Sequence, residues 1–260
     1  MQGIESTNKE IINHTQVNRE PMLLKGACKG WKAFGKWNLN FLREKFGDKQ
    51  VPVRVFKKDH TEHTLGKVLL RRYIDYIENR NNFKDRYYLA DWEISKNFRS
   101  LLDDFENPSF FENDLIDHLP DFLQFRRTWI FLGHPEVFTP IHRDAYSTSA
   151  WLAQIYGTKR VRIISPEYRP LSDTLFTDQT LLCDKGTFWE FTLHPGDILY
   201  IPANYPHEIR NEEVNLMLTR NFLEEPYLDD YLKAQEQRYE KILKKIGCMR
   251  SSTLDKKEKL

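Results

Sequence analysis

Pro195-Gly196-Asp197-Ile198-Leu199-Tyr200-Ile201-Pro202-Ala203-Asn204-Tyr205-Pro206-His207 reads as a turn, a four-residue apolar run, a second turn and then an imidazole. The run is too short for a helix and is bounded by turn residues on both sides, which predicts a buried strand. The same punctuation recurs around it. Strand patterns at 128–132, 139–144, 149–156, 160–164, 188–193, 198–201, 208–210 and 214–221 are separated by turns such as Tyr156-Gly157 and His194-Pro195-Gly196-Asp197. Many short strands of this kind predict an antiparallel double sheet, a double-stranded β-helix or jelly roll, whose barrel has an open mouth.

Upstream the pattern is mixed. A short strand is predicted over 22–27. A helix is predicted over 37–47, with Leu39, Leu42 and Phe46 on one face and Gly47 as its stop. Residues 51–55 alternate like a strand, and Pro52 suggests a sheet edge. Between 64 and 79, Leu69, Leu70, Tyr73, Ile74 and Ile77 recur at helical spacing. Another strand is expected over 86–90 and a short helix within 92–105, whereas 107–122 has no clear period. Helices covering a barrel make an α+β fold. At the far end Leu228, Leu232, Gln235, Tyr239, Ile242 and Ile246 form an apolar stripe that stops at Gly247. That stripe packs on its own barrel or forms a helix–helix contact in a homodimer. The expected organisation is a loose leader over 1–20, a compact domain over 21–225, and a helix with a charged tail over 226–260.

Thirty-nine basic and 38 acidic residues leave a net charge of +1, so no overall field draws the chain to nucleic acid or an anionic membrane. The three cysteines, Cys28, Cys183 and Cys248, are far apart and form no C-x-x-C pair, which suits a reducing compartment. Residues 1–20 lack a signal-peptide core and no run of 18 apolar residues is present, so the expectation is a soluble, cytoplasmic protein.

Chemistry concentrates in Thr139-Pro140-Ile141-His142-Arg143-Asp144. Side chains two apart on a strand share a face, so His142 and Asp144 are placed to bind one metal ion. His207, after the 198–201 strand and its turn, supplies a third donor. Two imidazoles and one carboxylate form the facial set that leaves coordination positions open on non-haem Fe(II). A zinc hydrolase could use the same donors, but no general base is evident near His142.

Three segments together carry a resemblance: 139–144, then Ala153-Gln154-Ile155-Tyr156-Gly157-Thr158-Lys159-Arg160, then 195–211 with Gly196, Pro202, His207 and Asn211. They resemble the JmjC-type branch of the cupin superfamily, Fe(II)- and 2-oxoglutarate-dependent oxygenases that include asparaginyl hydroxylases and related small hydroxylases. Pro21, Gly26, Trp37, Phe46-Gly47-Asp48 and Val51-Pro52-Val53 extend the likeness, so that it covers roughly 21–225. Asn204 stands where the motif has glycine, a mild departure because asparagine tolerates left-handed backbone.

The resemblance implies that His142, Asp144 and His207 hold Fe(II). It implies that Lys159 pairs with the distal carboxylate of 2-oxoglutarate, with Thr139, Tyr88 and Asn221 completing that pocket. Some relatives have an asparagine where Leu152 stands here. The implied reaction uses O2 and 2-oxoglutarate and releases succinate and CO2 as a substrate carbon is hydroxylated. Trp151, Tyr146, Trp189 and Tyr205 are candidates to line the substrate cleft or to pack in the core. Arg143 and Arg220 are candidates for an acidic substrate group or the barrel rim. No zinc-finger, reader or DNA-binding pattern accompanies the domain, which favours a protein, peptide or small-molecule substrate over chromatin. A non-catalytic cupin binding module is the alternative outside enzymology.

Overall fold

The computed structural model describes residues 19–56, 63–94, 98–111, 113–125, 127–135, 137–167 and 188–257; the leader expected over 1–20 lies largely outside them. The chain opens with β1 (Met22–Leu24), α1 (Lys32–Lys36), α2 (Leu39–Phe46), β2 (Gln50–Phe56), β3 (His63–Leu69), α3 (Leu70–Glu78), β4 (Arg86–Glu93) and α4 (Arg99–Leu102). Short 3₁₀ turns then lead into β5 (Thr128–Gly133), β6 (Phe138–His142), β7 (Ser149–Tyr156), β8 (Lys159–Ile164), β9 (Phe188–Leu193), β10 (Ile198–Ile201), β11 (His207–Asn211) and β12 (Asn215–Phe222). A long helix, α5 (Leu228–Lys257), closes the described chain.

Two antiparallel sheets face each other as a jelly roll. The larger has the order β1-β10-β7-β12-β5-β4-β2-β3 and the smaller β6-β11-β8-β9. The larger sheet is covered on both sides, and β7 records this in its sequence: Trp151, Ala153 and Ile155 pack outward with the helices, while Ala150 and Leu152 join the core between the sheets. A strand buried on both faces loses its polar alternation. The outer layer of α1–α4 and α5 gives the α+β architecture expected from the sequence.

Three local expectations change. Residues 64–69 form β3, not the first turns of a helix; they pair along the whole of β2, and the helical spacing begins to apply only at Leu70. The β2 strand is not an edge, because β4 and β3 flank it. Pro52 is tolerated because pairing with β4 begins at Val53, which leaves the missing N–H outside that ladder. At the chain's end, Gly247 does not stop the helix, which runs through to Lys257; a lone glycine costs a helix only about 1 kcal/mol. Gly47 does cap α2, but from the right-handed region (φ −54°) and not the left-handed one.

Candidate active site

His142 ends β6 and His207 begins β11, and the two are direct partners across the ladder. Their ring centroids are 4.2 Å apart. Each ring is fixed through Nδ1, by the carbonyl of Pro140 at 2.8 Å and of Tyr205 at 2.9 Å, so Nε2 is the atom each presents to the interior. Asp144 lies just beyond the strand but keeps an extended backbone (φ −65°, ψ 152°), so the two-residue alternation still brings it beside His142. Its Oδ1 is 3.7 Å from His142 Nε2 and 4.0 Å from His207 Nε2. One donor atom from each of the three residues lies within 4.8 Å of the others, a spacing that suits a single ion. Burial, reinforced by neighbouring His142, pushes His207 down to about 4, so it is neutral and able to ligate at physiological pH.

Thr139 and His142 are three residues apart and would leave opposite faces of a regular strand. A β-bulge prevents this. Pairing between β6 and β11 shifts register between His207 and Ile209, so Pro140 and Ile141 stand opposite the single residue Glu208. Thr139 therefore lines the same cavity, about 210 Å³, as Asp144, His207 and Asn221. Trp129, Phe131, Leu152 and Met217 supply its apolar walls.

Lys159 starts β8 and alternates inward with Val161 and Ile163, so its amine is carried into the barrel. The side chain is fully buried, and Nζ donates to the Tyr88 hydroxyl at 3.2 Å. It also lies over the Phe131 ring, at 5.6 Å from the centroid. Among the described residues no carboxylate pairs with it, and burial pushes it down to about 7. Tyr88, equally buried, hydrogen-bonds Thr139 as well. Asn221 lines the cavity and donates to Thr148 Oγ at 3.0 Å. Through Tyr88 and Thr139 the buried amine is linked to the lining of the cavity that Asp144 and His207 share, and a buried cation calls for an anionic partner.

The profile of the cupin-like domain family matches residues 8–172. The chain belongs to that family. Among curated relatives, a lysine-specific demethylase JMJ21 of Arabidopsis thaliana is 26% identical over 225 residues, covering 79% of this chain and 23% of its own. The bifunctional arginine demethylase and lysyl-hydroxylase psr-1 of Caenorhabditis elegans is 24% identical over 242 residues, 85% of this chain and 60% of its own. The 2-oxoglutarate and iron-dependent oxygenase JMJD4 of Danio rerio is 24% identical over 251 residues, 85% of this chain and 59% of its own. The chain thus spans between about a quarter and three fifths of these relatives' length.

The remaining expectations sort themselves around this cupin-like site. Trp151 packs in the outer core against Trp31, with centroids 5.7 Å apart, and Trp189 packs against Tyr205, also at 5.7 Å; neither Trp151 nor Trp189 lines the cavity. Arg143 points away from the donors and staples two loops through the carbonyls of Asn204 and Pro166. Asn204 adopts φ 69°, the left-handed conformation expected where the motif has glycine. Arg220 is held by Asp114 at 3.5 Å and Asp117 at 3.3 Å.

Two features were not legible in the sequence. Asp91 sits at φ 58° in a bulge of β4 between Leu89 and Trp92, lines the cavity and pairs with Arg54 at 2.6 Å. A trough of about 840 Å³, lined by Gln124, Phe125, Arg127, Tyr146, Arg220 and Arg238 among others, opens on the other side of the larger sheet: Thr128 and Arg220 line it, whereas their strand neighbours Trp129 and Asn221 line the cavity. No sequence period links the elements that build either feature.

Proposed function

We propose that this protein is an Fe(II)- and 2-oxoglutarate-dependent oxygenase that hydroxylates a side chain of a protein or peptide. The observation that carries the proposal is the buried Lys159 amine, which has no carboxylate partner among the described residues and reaches the cavity's lining through Tyr88 to Thr139 and over Phe131, in a cavity that Asp144 and His207 of the three-donor cluster also line. The cavity is smaller than the roughly 300–1,000 Å³ usual for drug-sized ligands, which suits a compact co-substrate.

In this reading His142, Asp144 and His207 hold the iron, and Lys159 takes the distal carboxylate of 2-oxoglutarate with Thr139 and Tyr88 beside it. Asn221 orients the near end. Bound there, iron with O2 and 2-oxoglutarate would supply the oxidising chemistry, releasing succinate and CO2. Phe131, Leu152 and Met217 keep water from the reacting atoms. Leu152 offers the co-substrate apolar contact where an asparagine would offer a hydrogen bond.

The relatives' names support a polypeptide over a small molecule, and lysyl and arginyl side chains are the targets we favour, with demethylation as the outcome where the hydroxylated carbon is on an N-methyl group. No helix among the described residues is long and apolar enough to cross a membrane. A cytoplasmic setting is supported by Cys28, a buried free thiol. The exposed row Ile242, Leu243 and Ile246 on α5 supports a homodimer through that helix.

Anaerobic loading with Fe(II), addition of 2-oxoglutarate and then O2 tests the reaction. We expect succinate release that rises with a protein extract or peptide library, and a peptide mass gain of one oxygen. Absence of succinate and of 2-oxoglutarate binding in iron-loaded protein would refute the oxygenase; turnover driven by small metabolites and not by peptides would refute the substrate class.

A further inference from the structure

The Asp144 carboxylate accepts no hydrogen bond from any described residue, although carboxylate ligands are ordinarily oriented by such partners. Its placement therefore rests on the main chain, β6 before it and the turn Ala145–Ser147 after it. That main chain is unusual. Tyr146 and Ser147 are consecutive residues in the left-handed region, at φ 59° and 53°, and neither is glycine or asparagine. Such a conformation persists only where the surroundings impose it.

What imposes it is largely helix α5, which packs on the turn Ala145–Ser147. The Tyr146 ring meets Phe125 edge-on at 5.1 Å and Tyr231 at 6.3 Å, and the Arg238 guanidinium lies 5.8 Å from its centroid. Tyr231 is fully buried and is itself anchored through its hydroxyl to the Leu123 carbonyl. From the barrel side the same turn is tied by Thr148 Oγ donating to the Ala145 carbonyl at 2.8 Å, with Asn221 donating to that hydroxyl at 3.0 Å. The strained turn is thus clamped between the barrel and the C-terminal helix, and Asp144 is the residue immediately before it.

We propose that Tyr146 is a positioning residue for the Asp144 ligand, and that helix α5, through Tyr231 and Arg238, holds it there, so that the C-terminal helix sets part of the barrel's metal affinity. The inference rests on reading Asp144 as a metal ligand. Tyr146 acts through its ring, because its hydroxyl has no partner among the described residues.

The test uses the full chain, stripped of metal and titrated with Mn(II) by calorimetry in the absence of substrate, alongside a thermal melt of the metal-free protein. Wild type is expected to bind one ion and His142→Ala none. Tyr146→Ala is expected to bind about 10- to 100-fold more weakly, the loss typical of an outer-shell partner. Tyr146→Phe should stay within about twofold, since the ring is kept. Leu232→Ala, exposed on the same helix, should not change binding. Tyr146→Gly accepts the left-handed backbone without strain, so it serves where the alanine variant unfolds, and it too should weaken binding. Binding of Mn(II) by Tyr146→Gly as tightly as by wild type would overturn the positioning role while leaving the oxygenase reading intact. Failure of wild type to bind any ion would overturn both.

Discussion

His142 and His207 stand directly opposite each other on β6 and β11, and one device orients both: Nδ1 bonded to the carbonyl two residues earlier, Pro140 within β6 and Tyr205 in the turn before β11. The tautomer and ring plane of each are set by its own local backbone before any ion arrives, which leaves both Nε2 atoms pointing at Asp144.

Replacing His207 by Ala should remove the ion without unfolding the barrel. Deleting a ligand costs more than deleting an outer-shell partner, so metal affinity is expected to fall by at least ~100-fold. Metal analysis of the purified variant, with circular dichroism as the folding control, checks this. A variant that retains one tightly held ion per chain would remove His207 from the ligand set.

The Lys159 amine gives 2-oxoglutarate binding a definite pH dependence. With its pKa pushed down to about 7 by burial, the amine must take up a proton to meet a carboxylate at higher pH. Affinity should therefore fall by up to ~10-fold per unit as pH rises above 7, and Lys159→Ala should bind weakly with a flat profile. Stability runs the opposite way. The unfolded lysine holds its proton up to its ordinary, higher pKa, so the ligand-free protein should become more stable as pH rises from about 7 toward that value. A melting temperature indifferent to pH over that window, in wild type and variant alike, would contradict the burial argument.

Tyr88→Phe keeps the ring and deletes the hydroxyl that joins Lys159 to Thr139. Loss of one hydrogen bond to a charged group corresponds to ~1.5–3 kcal/mol, roughly 10- to 150-fold in 2-oxoglutarate affinity, with metal binding unchanged. Parallel titrations of the two ligands separate these effects.

Gly133 is required by close packing. A Cβ there would meet Asn211 Nδ2 at 2.5 Å and the Tyr88 ring at 2.8 Å. Gly133→Ala should lose ~1–3 kcal/mol of stability and weaken 2-oxoglutarate binding with it, since Tyr88 must move. Chemical denaturation and a binding titration on the same sample provide the check.

For the helix contact, Leu243→Arg places a charge in the exposed row of α5, well past Tyr239, where the helix still touches Phe122. Sedimentation equilibrium should show a dimer turning into a monomer. Wild type that sediments as a monomer would dispose of the dimer.

Much of the site was legible in sequence because its rules are local. Alternation along an extended chain brings His142 and Asp144 together wherever the strand lies, and turn chemistry fixed the strand ahead of His207. The left-handed tolerance of asparagine fitted Asn204 to its turn. The same local rules failed at β3, where Leu69 and Leu70 share helical spacing with Tyr73 and Ile74 but residues 63–69 are drawn into pairing with β2. They failed again at Pro52, whose place beside a partly paired neighbour no periodicity describes.

The sequence by itself determined which residues carry donors and which segments extend. The tertiary structure alone decided that Thr139 shares a face with His142, through a bulge defined by a partner strand 65 residues later. It also decided that the Lys159 amine is sealed from water and that a C-terminal helix leans on the turn after Asp144. Register, desolvation and clamping depend on what lies across the barrel, and a linear pattern holds no record of distance through space.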